Sequence, residues 1–144
     1  MSLSINNITN FNGSYSGKTV NINNNIITQW KELKLVFNVF SNGCGQINGI
    51  GFSVFNRKKI PFIILGRFDS NLKNIQINKV HIGNGYYNTI IYNISFDLET
   101  NKILLNSDYA VGEIILNTHI DKFTNMKPYN LRSLNKKNLS CRCI

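Results

Sequence analysis

The chain has 144 residues and a formal net charge of +9, with 42% hydrophobic and 16% charged residues. That length is one domain, or one domain with a tail, and is enough to bury a core without metal or disulfide support. The charged fraction is well under the usual quarter; asparagine, about one residue in six, fills the polar share.

The opening stretch "MSLSINNITNF" carries no basic segment followed by an apolar one, so no signal peptide is predicted. No apolar run reaches the roughly 18 residues that a membrane helix needs, and no transmembrane segment is expected. The cysteines are Cys44, Cys141 and Cys143, an odd number. Without a secretory signal, reduced thiols are predicted.

In chain order, the periodicity is that of strands. "LSINNIT" (3–9) and "GKTVNIN" (17–23) are weak strands, and "NNIITQWKEL" (24–33) has room for one helical turn. "LKLVFNVF" (33–40) places Leu33, Leu35, Phe37 and Val39 on one face and Val36 and Phe40 on the other, a strand covered on both sides. The turn "SNGCG" leads into "INGIGFSVF" (47–55), and the two runs form a hairpin. "NRKK" follows as a solvated loop. "IPFIIL" (60–65) contains Pro61, which cannot donate to a ladder, so the strand starts there or lies at an edge.

"NIQINKVHI" (74–82) alternates and then slips phase at Lys79 and Val80, which predicts a bulge. After the turn "GNG", Tyr86–Phe96 is the longest strand, with Ile90, Tyr92, Ile94 and Phe96 on one face. "DLETN" turns into "KILLN" (102–106), with Asn101 suited to a left-handed position. "GEIILNT" (112–118) closes the series. Eight or nine short strands with turn signals every eight to twelve residues predict an all-β protein, an antiparallel β-sandwich or jelly roll, over residues 1–121.

Residues 122–144 have no strand pattern and read as an extended basic arm. They hold six bases (Lys122, Lys127, Arg132, Lys136, Lys137 and Arg142) and no acid, whereas the first 121 residues hold ten bases and seven acids. Such end blocks serve as interaction arms or are solvated. The terminal "CRCI" resembles a prenylation box with a polybasic segment upstream, but Arg142 and Cys143 are not the aliphatic pair that box prefers. An arm lying on a neighbouring subunit, or a plain chain end, is the simpler reading.

No metal or cofactor is predicted. His81, His119 and the cysteines lack the spacing of a zinc site, and both histidines read as ordinary strand residues. No nucleophile turn is present. The carboxylates Asp97, Glu99, Asp108, Glu113 and Asp121 fall at turns or singly, so no enzyme is predicted. The candidate ligand contacts are the turn residues Asn42, Asn84, Tyr86 and Tyr87. The candidate basic contacts are Arg57, Lys58, Lys59, Lys136, Lys137 and Arg142. Charge beside aromatics suits nucleic acid, chiefly through the tail, although no ordered basic stripe is visible.

The stretch "SGKTVNINNNIITQWKELKLVFNV" leads a polar β segment into Trp30 and a W-x-x-L-x-L-x-F strand. Over residues 14–118 the pattern resembles the head and fibre modules of bacteriophage tail and other virion proteins. That resemblance implies a β-sandwich that trimerises and touches a receptor, with a cell-surface glycan or other virion proteins as partners and the virion as location, the cytoplasm otherwise. The chain lacks a shaft or repeat before the head, which leaves room for a capsid or decoration role. A soluble carbohydrate-binding sandwich is the alternative, as is a β domain that attaches to membrane or nucleic acid through its basic tail.

Overall fold

The structure is a computed structural model that describes residues 2–83 and 88–120. It is all-β, with eight antiparallel strands: β1 (Gly13–Asn21), β2 (Ile27–Val39), β3 (Gly45–Phe55), β4 (Lys58–Phe68), β5 (Gln76–His81), β6 (Asn88–Asp97), β7 (Lys102–Asn106) and β8 (Ala110–His119). Each strand pairs with its neighbours in sequence, and β1 pairs with β8, so the sheet closes into a barrel. The expected sandwich is therefore replaced by an up-and-down barrel. A sandwich and a barrel share the same short alternating strands; the β1–β8 ladder, from Gly13↔His119 to Asn21↔Ala110, makes the difference. Closure removes every sheet edge.

Alternation along the strands sorts the side chains. Leu33, Leu35 and Phe37 of β2, Ile77 of β5, Tyr92 of β6 and Leu105 of β7 are all buried. Strict alternation would put Trp30 and Leu33 on opposite faces, yet both are fully buried. The β2–β3 register shifts between Lys31 and Lys34, and Glu32 has a φ of 55°; this bulge turns both residues inward. The stretch 24–33 holds no helical turn, because from Ile27 it pairs with β1 on one side and, from Gln29, with β3 on the other. Outside the barrel Val36 is only half-buried, so the cover expected over both faces of residues 33–40 is incomplete, and Ile91 of β6 is 53% exposed.

Residues 3–9 are not a strand. They run into a 3-10 helix, Ile8–Phe11, whose Ile8 and Phe11 are buried. It closes the end of the barrel where β1, β3, β5 and β7 begin. Phe37 N–H donates to Asn12 Oδ1 at 2.6 Å, the Tyr15 hydroxyl donates to the Phe11 carbonyl, and Ile120 N–H donates to the Asn12 carbonyl at 3.0 Å. Phe11 meets Phe96 edge-on at 4.8 Å between ring centres, and Phe37 meets the same ring at 5.8 Å. Each such ring adds roughly 2–3 kcal/mol through burial.

Two features differ from the sequence reading. Pro61 lies inside β4, opposite Phe52 of β3, rather than at a strand start or sheet edge. Its carbonyl accepts from Ile82 N–H, one residue past the end of β5. Both backbone groups of a strand residue point to the same side, so the missing N–H faces a place where β5 has ended. The bulge expected at Lys79–Val80 is absent too. Lys79 pairs with Ile64 and Ile90, and Val80 with Ile63 and Thr89, in unbroken register. The apparent slip of phase is a lysine at an inward position.

Among the described residues no helix is long and apolar enough to cross a membrane. Cys44 is buried and disulfide-bonded, which overturns the expectation of a reduced thiol there. Its partner lies outside the described residues, as does the predicted basic arm with Cys141 and Cys143.

Candidate functional site

Opposite the 3-10 helix, the barrel ends in its other set of loops. A cavity of about 220 Å³ runs inward from these loops. Its rim includes Asn24, Ile26, Asn56 and Tyr109, and its inner wall Thr19, Lys79, His81, Ile90 and Tyr92.

β5 supplies the inner polar groups. Its inward series is Ile77, Lys79 and His81, spaced by two as alternation requires. Lys79 is 1% exposed and makes no hydrogen bond or ion pair among the described residues. Its Nζ lies 4.0 Å from the Trp30 ring centre and 4.6 Å from that of Phe62. Trp30 in turn meets Phe62 at 5.3 Å and Tyr92 at 5.4 Å, both edge-on. Gly51 on β3 makes room for this cluster, since a Cβ there would come within 3.0 Å of Phe62 Cζ. Trp30 Nε1–H donates to Thr19 Oγ1 at 3.3 Å, and Tyr92 also bonds Thr19.

Magnitudes show how unusual the lysine is. Contact with aromatic faces stabilises a desolvated ammonium by about 2 kcal/mol. Removing it from water costs several kcal/mol. Burial therefore wins and pushes the Lys79 ammonium down from its ordinary value of 10.5 to about 7. Among the described residues no carboxylate lines the cavity to offset that.

His81 is 4% exposed, and its Nε2 lies 2.8 Å from Ser53 Oγ. Burial first, and then the charge of Lys79, push its pKa down to about 4, against a weaker upward effect of a backbone hydrogen bond with Asn88. The ring is therefore neutral near pH 7. Burial also pushes the Tyr92 hydroxyl up to about 12. The site thus offers one amine whose pKa burial brings close to neutral pH, a neutral imidazole, the hydroxyls of Thr19 and Tyr92 on the inner wall and a set of aromatic walls.

The residues singled out from sequence fall elsewhere. Asn42 is in the β2–β3 turn at the closed end, where its Oδ1 accepts from Cys44 N–H at 3.0 Å. Arg57, with a φ of 62°, forms with Asn56 the two-residue turn between β3 and β4 at the cavity end. Lys58 begins β4 on the exposed side. Lys59 pairs with Glu32 at 3.0 Å and lies over the Phe52 ring at 4.2 Å, outside the barrel. Asn84, Tyr86, Tyr87, Lys136, Lys137 and Arg142 lie outside the described residues. The structure thus brings together Lys79 and His81, which the sequence reading passed over as a bulge and an ordinary histidine. The available signal was the period-two run Ile75, Ile77, Lys79, His81.

The chain matches no family model, no curated protein and no solved structure. Nothing in these comparisons identifies it as a tail, fibre or other virion protein.

Proposed function

We propose that the protein is a small-molecule-binding barrel. It takes one ligand with an apolar body and a polar head into the loop-end cavity, the head meeting Lys79. The observation that carries this reading is Lys79 itself, a buried ammonium with no counter-charge among the described residues, at the inner wall of a cavity. Such a group costs stability wherever it is merely structural, and strongly shifted groups beside cavities gather at functional sites. Eight-stranded barrels have interiors just wide enough to be filled by side chains or to hold one small ligand. Here the half near the 3-10 helix is filled with aromatic rings and the other half holds the cavity.

Size limits the ligand. Benzene fills a cavity of about 150 Å³, so a space of about 220 Å³ takes a molecule only somewhat larger, such as a substituted single ring or a short acyl chain. Ile26, Phe55 and Ile90 supply apolar wall; Thr19, His81 and Lys79 supply the polar end. A virion head or a glycan-binding sandwich gains no comparable support, since Asn42 is at the far end of the barrel in a turn that uses its side chain.

Trp30 is the sole tryptophan and lies against Lys79, so its fluorescence reports on the site. Titration with benzoate and with cinnamate, single-ring carboxylates of the size the cavity takes, should give a saturable change of one ligand per chain. Lys79→Met should weaken binding of the anionic probes about tenfold or more, the scale of one charged hydrogen bond. A linear, non-saturating response, or equal affinity in the variant, would refute the reading.

A further inference from the structure

We propose that the ligand head is an aldehyde or ketone and that Lys79 captures it covalently, as an imine, inside the barrel. The inference rests on the binding reading above and names the chemistry of that same site.

Three observations converge on it. Lys79 lines the cavity, which opens at the loop end and gives an entering molecule a path to this residue. No acid holds it as a salt-bridged ammonium among the described residues, so its lone pair is not withdrawn by a fixed partner. Two ring faces, Trp30 at 4.0 Å and Phe62 at 4.6 Å, surround the nitrogen and keep bulk water from it. Desolvated lysines beside apolar walls form Schiff bases for this reason.

Among the described residues the titratable groups that face Lys79 across the cavity are His81 on its own strand, Tyr92 on β6 and Tyr109 at the rim. His81 is neutral near pH 7, and the hydroxyl of Tyr92 stays protonated. Among the described residues no acid lines the cavity to keep the amine protonated. Burial lowers the Lys79 pKa from 10.5 to about 7, so its neutral fraction near pH 7 is far above the roughly one part in a few thousand of a lysine at its ordinary value.

The step balances without an oxidant or a reductant. The Nζ lone pair attacks the carbonyl carbon and forms a C–N bond, giving a carbinolamine. Two protons leave the nitrogen in all, and the former carbonyl oxygen departs as water. Amine plus carbonyl gives imine plus water, and the water exits through the loop end. Protonation of the imine restores a cation over the Trp30 and Phe62 faces, where the ring quadrupoles favour it.

The test uses the full chain. The protein is incubated at pH 7 with cinnamaldehyde and sodium cyanoborohydride, which reduces an imine to a stable secondary amine, and the adducts are mapped by peptide mass spectrometry. The expected result is one adduct per chain, on Lys79, formed at least about tenfold faster than on any exposed lysine, as the neutral-amine fractions require. Its rate should level off above pH 8. Saturating cinnamate should block it, and Lys79→Arg and Lys79→Met should both lose it.

Adducts spread over the exposed lysines without preference for Lys79 would overturn the inference. The cinnamate titration, run in parallel without reductant, separates the two readings. Saturable cinnamate binding with an unmodified Lys79 removes the imine and leaves the binding barrel; no cinnamate binding and no adduct removes both. A Lys79 adduct in a protein that does not bind cinnamate supports carbonyl capture and restricts the cavity to uncharged ligands.

Discussion

The Lys79 ammonium lies 4.0 Å from the centre of the Trp30 ring, and both side chains are buried. Trp30 comes from β2 and Lys79 from β5, so the contact spans the barrel interior rather than one ladder. It depends on two separate backbone facts: the bulge at Lys31–Lys34 that turns Trp30 inward, and the unbroken register of β5 that turns Lys79 inward. The result is a cation held by ring faces where a core would ordinarily place leucine or methionine.

Lys79→Met should make the protein more stable. The ammonium is costly to bury and has no acidic partner among the described residues, so an apolar side chain of similar length should stabilise the fold by about 1–4 kcal/mol at pH 7. The pH dependence carries a definite sign. The folded value is lowered from 10.5 to about 7, so between those values the unfolded chain binds more protons and stability rises with pH. Urea midpoints at pH 6, 8 and 10 should climb for the native chain and stay level for the variant. A variant less stable than the native chain at pH 7 would show that the lysine is structural.

His81 sets the acid side. Its folded value, about 4, is below its ordinary 6.5. Between the two the unfolded chain again binds more protons, so stability present above pH 6.5 is lost as pH falls towards 4. The loss is on the order of 3 kcal/mol. Thermal melts from pH 7 to 4.5 should show it, and His81→Gln should remove most of the slope. An unchanged slope would mean that other groups carry the acid sensitivity.

Gly45 stands where any side chain meets packed atoms. A Cβ there would lie 2.1 Å from Phe68 Cζ and 2.4 Å from the Asn38 carbonyl oxygen. Phe68 also packs against Phe37 in the filled half of the barrel. Gly45→Ala should therefore destabilise by about 1–3 kcal/mol, the usual cost of overpacking, while leaving cinnamate binding at the other end unchanged. Loss of cinnamate binding in a folded Gly45→Ala chain would show that the two ends are coupled.

The bridged Cys44 predicts that Cys44→Ser, or prior reduction, lowers stability by about 2–4 kcal/mol. Thiol titration of the unfolded, unreduced chain should leave Cys44 unlabelled. A labelled Cys44 would return it to the reduced state that cysteine count alone suggests.

Much of the strand content was legible. "KILLN" is β7 as read, Asn101 takes a φ of 55° at the turn before it, and "LKLVFNVF" and "INGIGFSVF" do form a hairpin. Ile90, Tyr92, Ile94 and Phe96 do share the inward face of β6. These features depend on period-two alternation and on local turn chemistry, which are written in consecutive residues. The 3-10 helix was misread as a strand because Ile8 and Phe11 are buried by the barrel end they cover, a contact that local sequence does not encode.

The site was not legible for a related reason. A lysine in an alternating run reads as an error of phase, since charged residues are almost never fully buried unpaired. The sequence by itself determined that the chain is antiparallel β, where most of its turns fall and which face of most strands is apolar, because each follows from neighbours two to four residues apart. Only the tertiary structure decided that β1 meets β8 and closes a barrel instead of a sandwich, and that Trp30, Phe62 and Lys79 share one interior. Both depend on pairings between residues far apart in the chain, and a closed sheet alone has an inside in which such a lysine can be held.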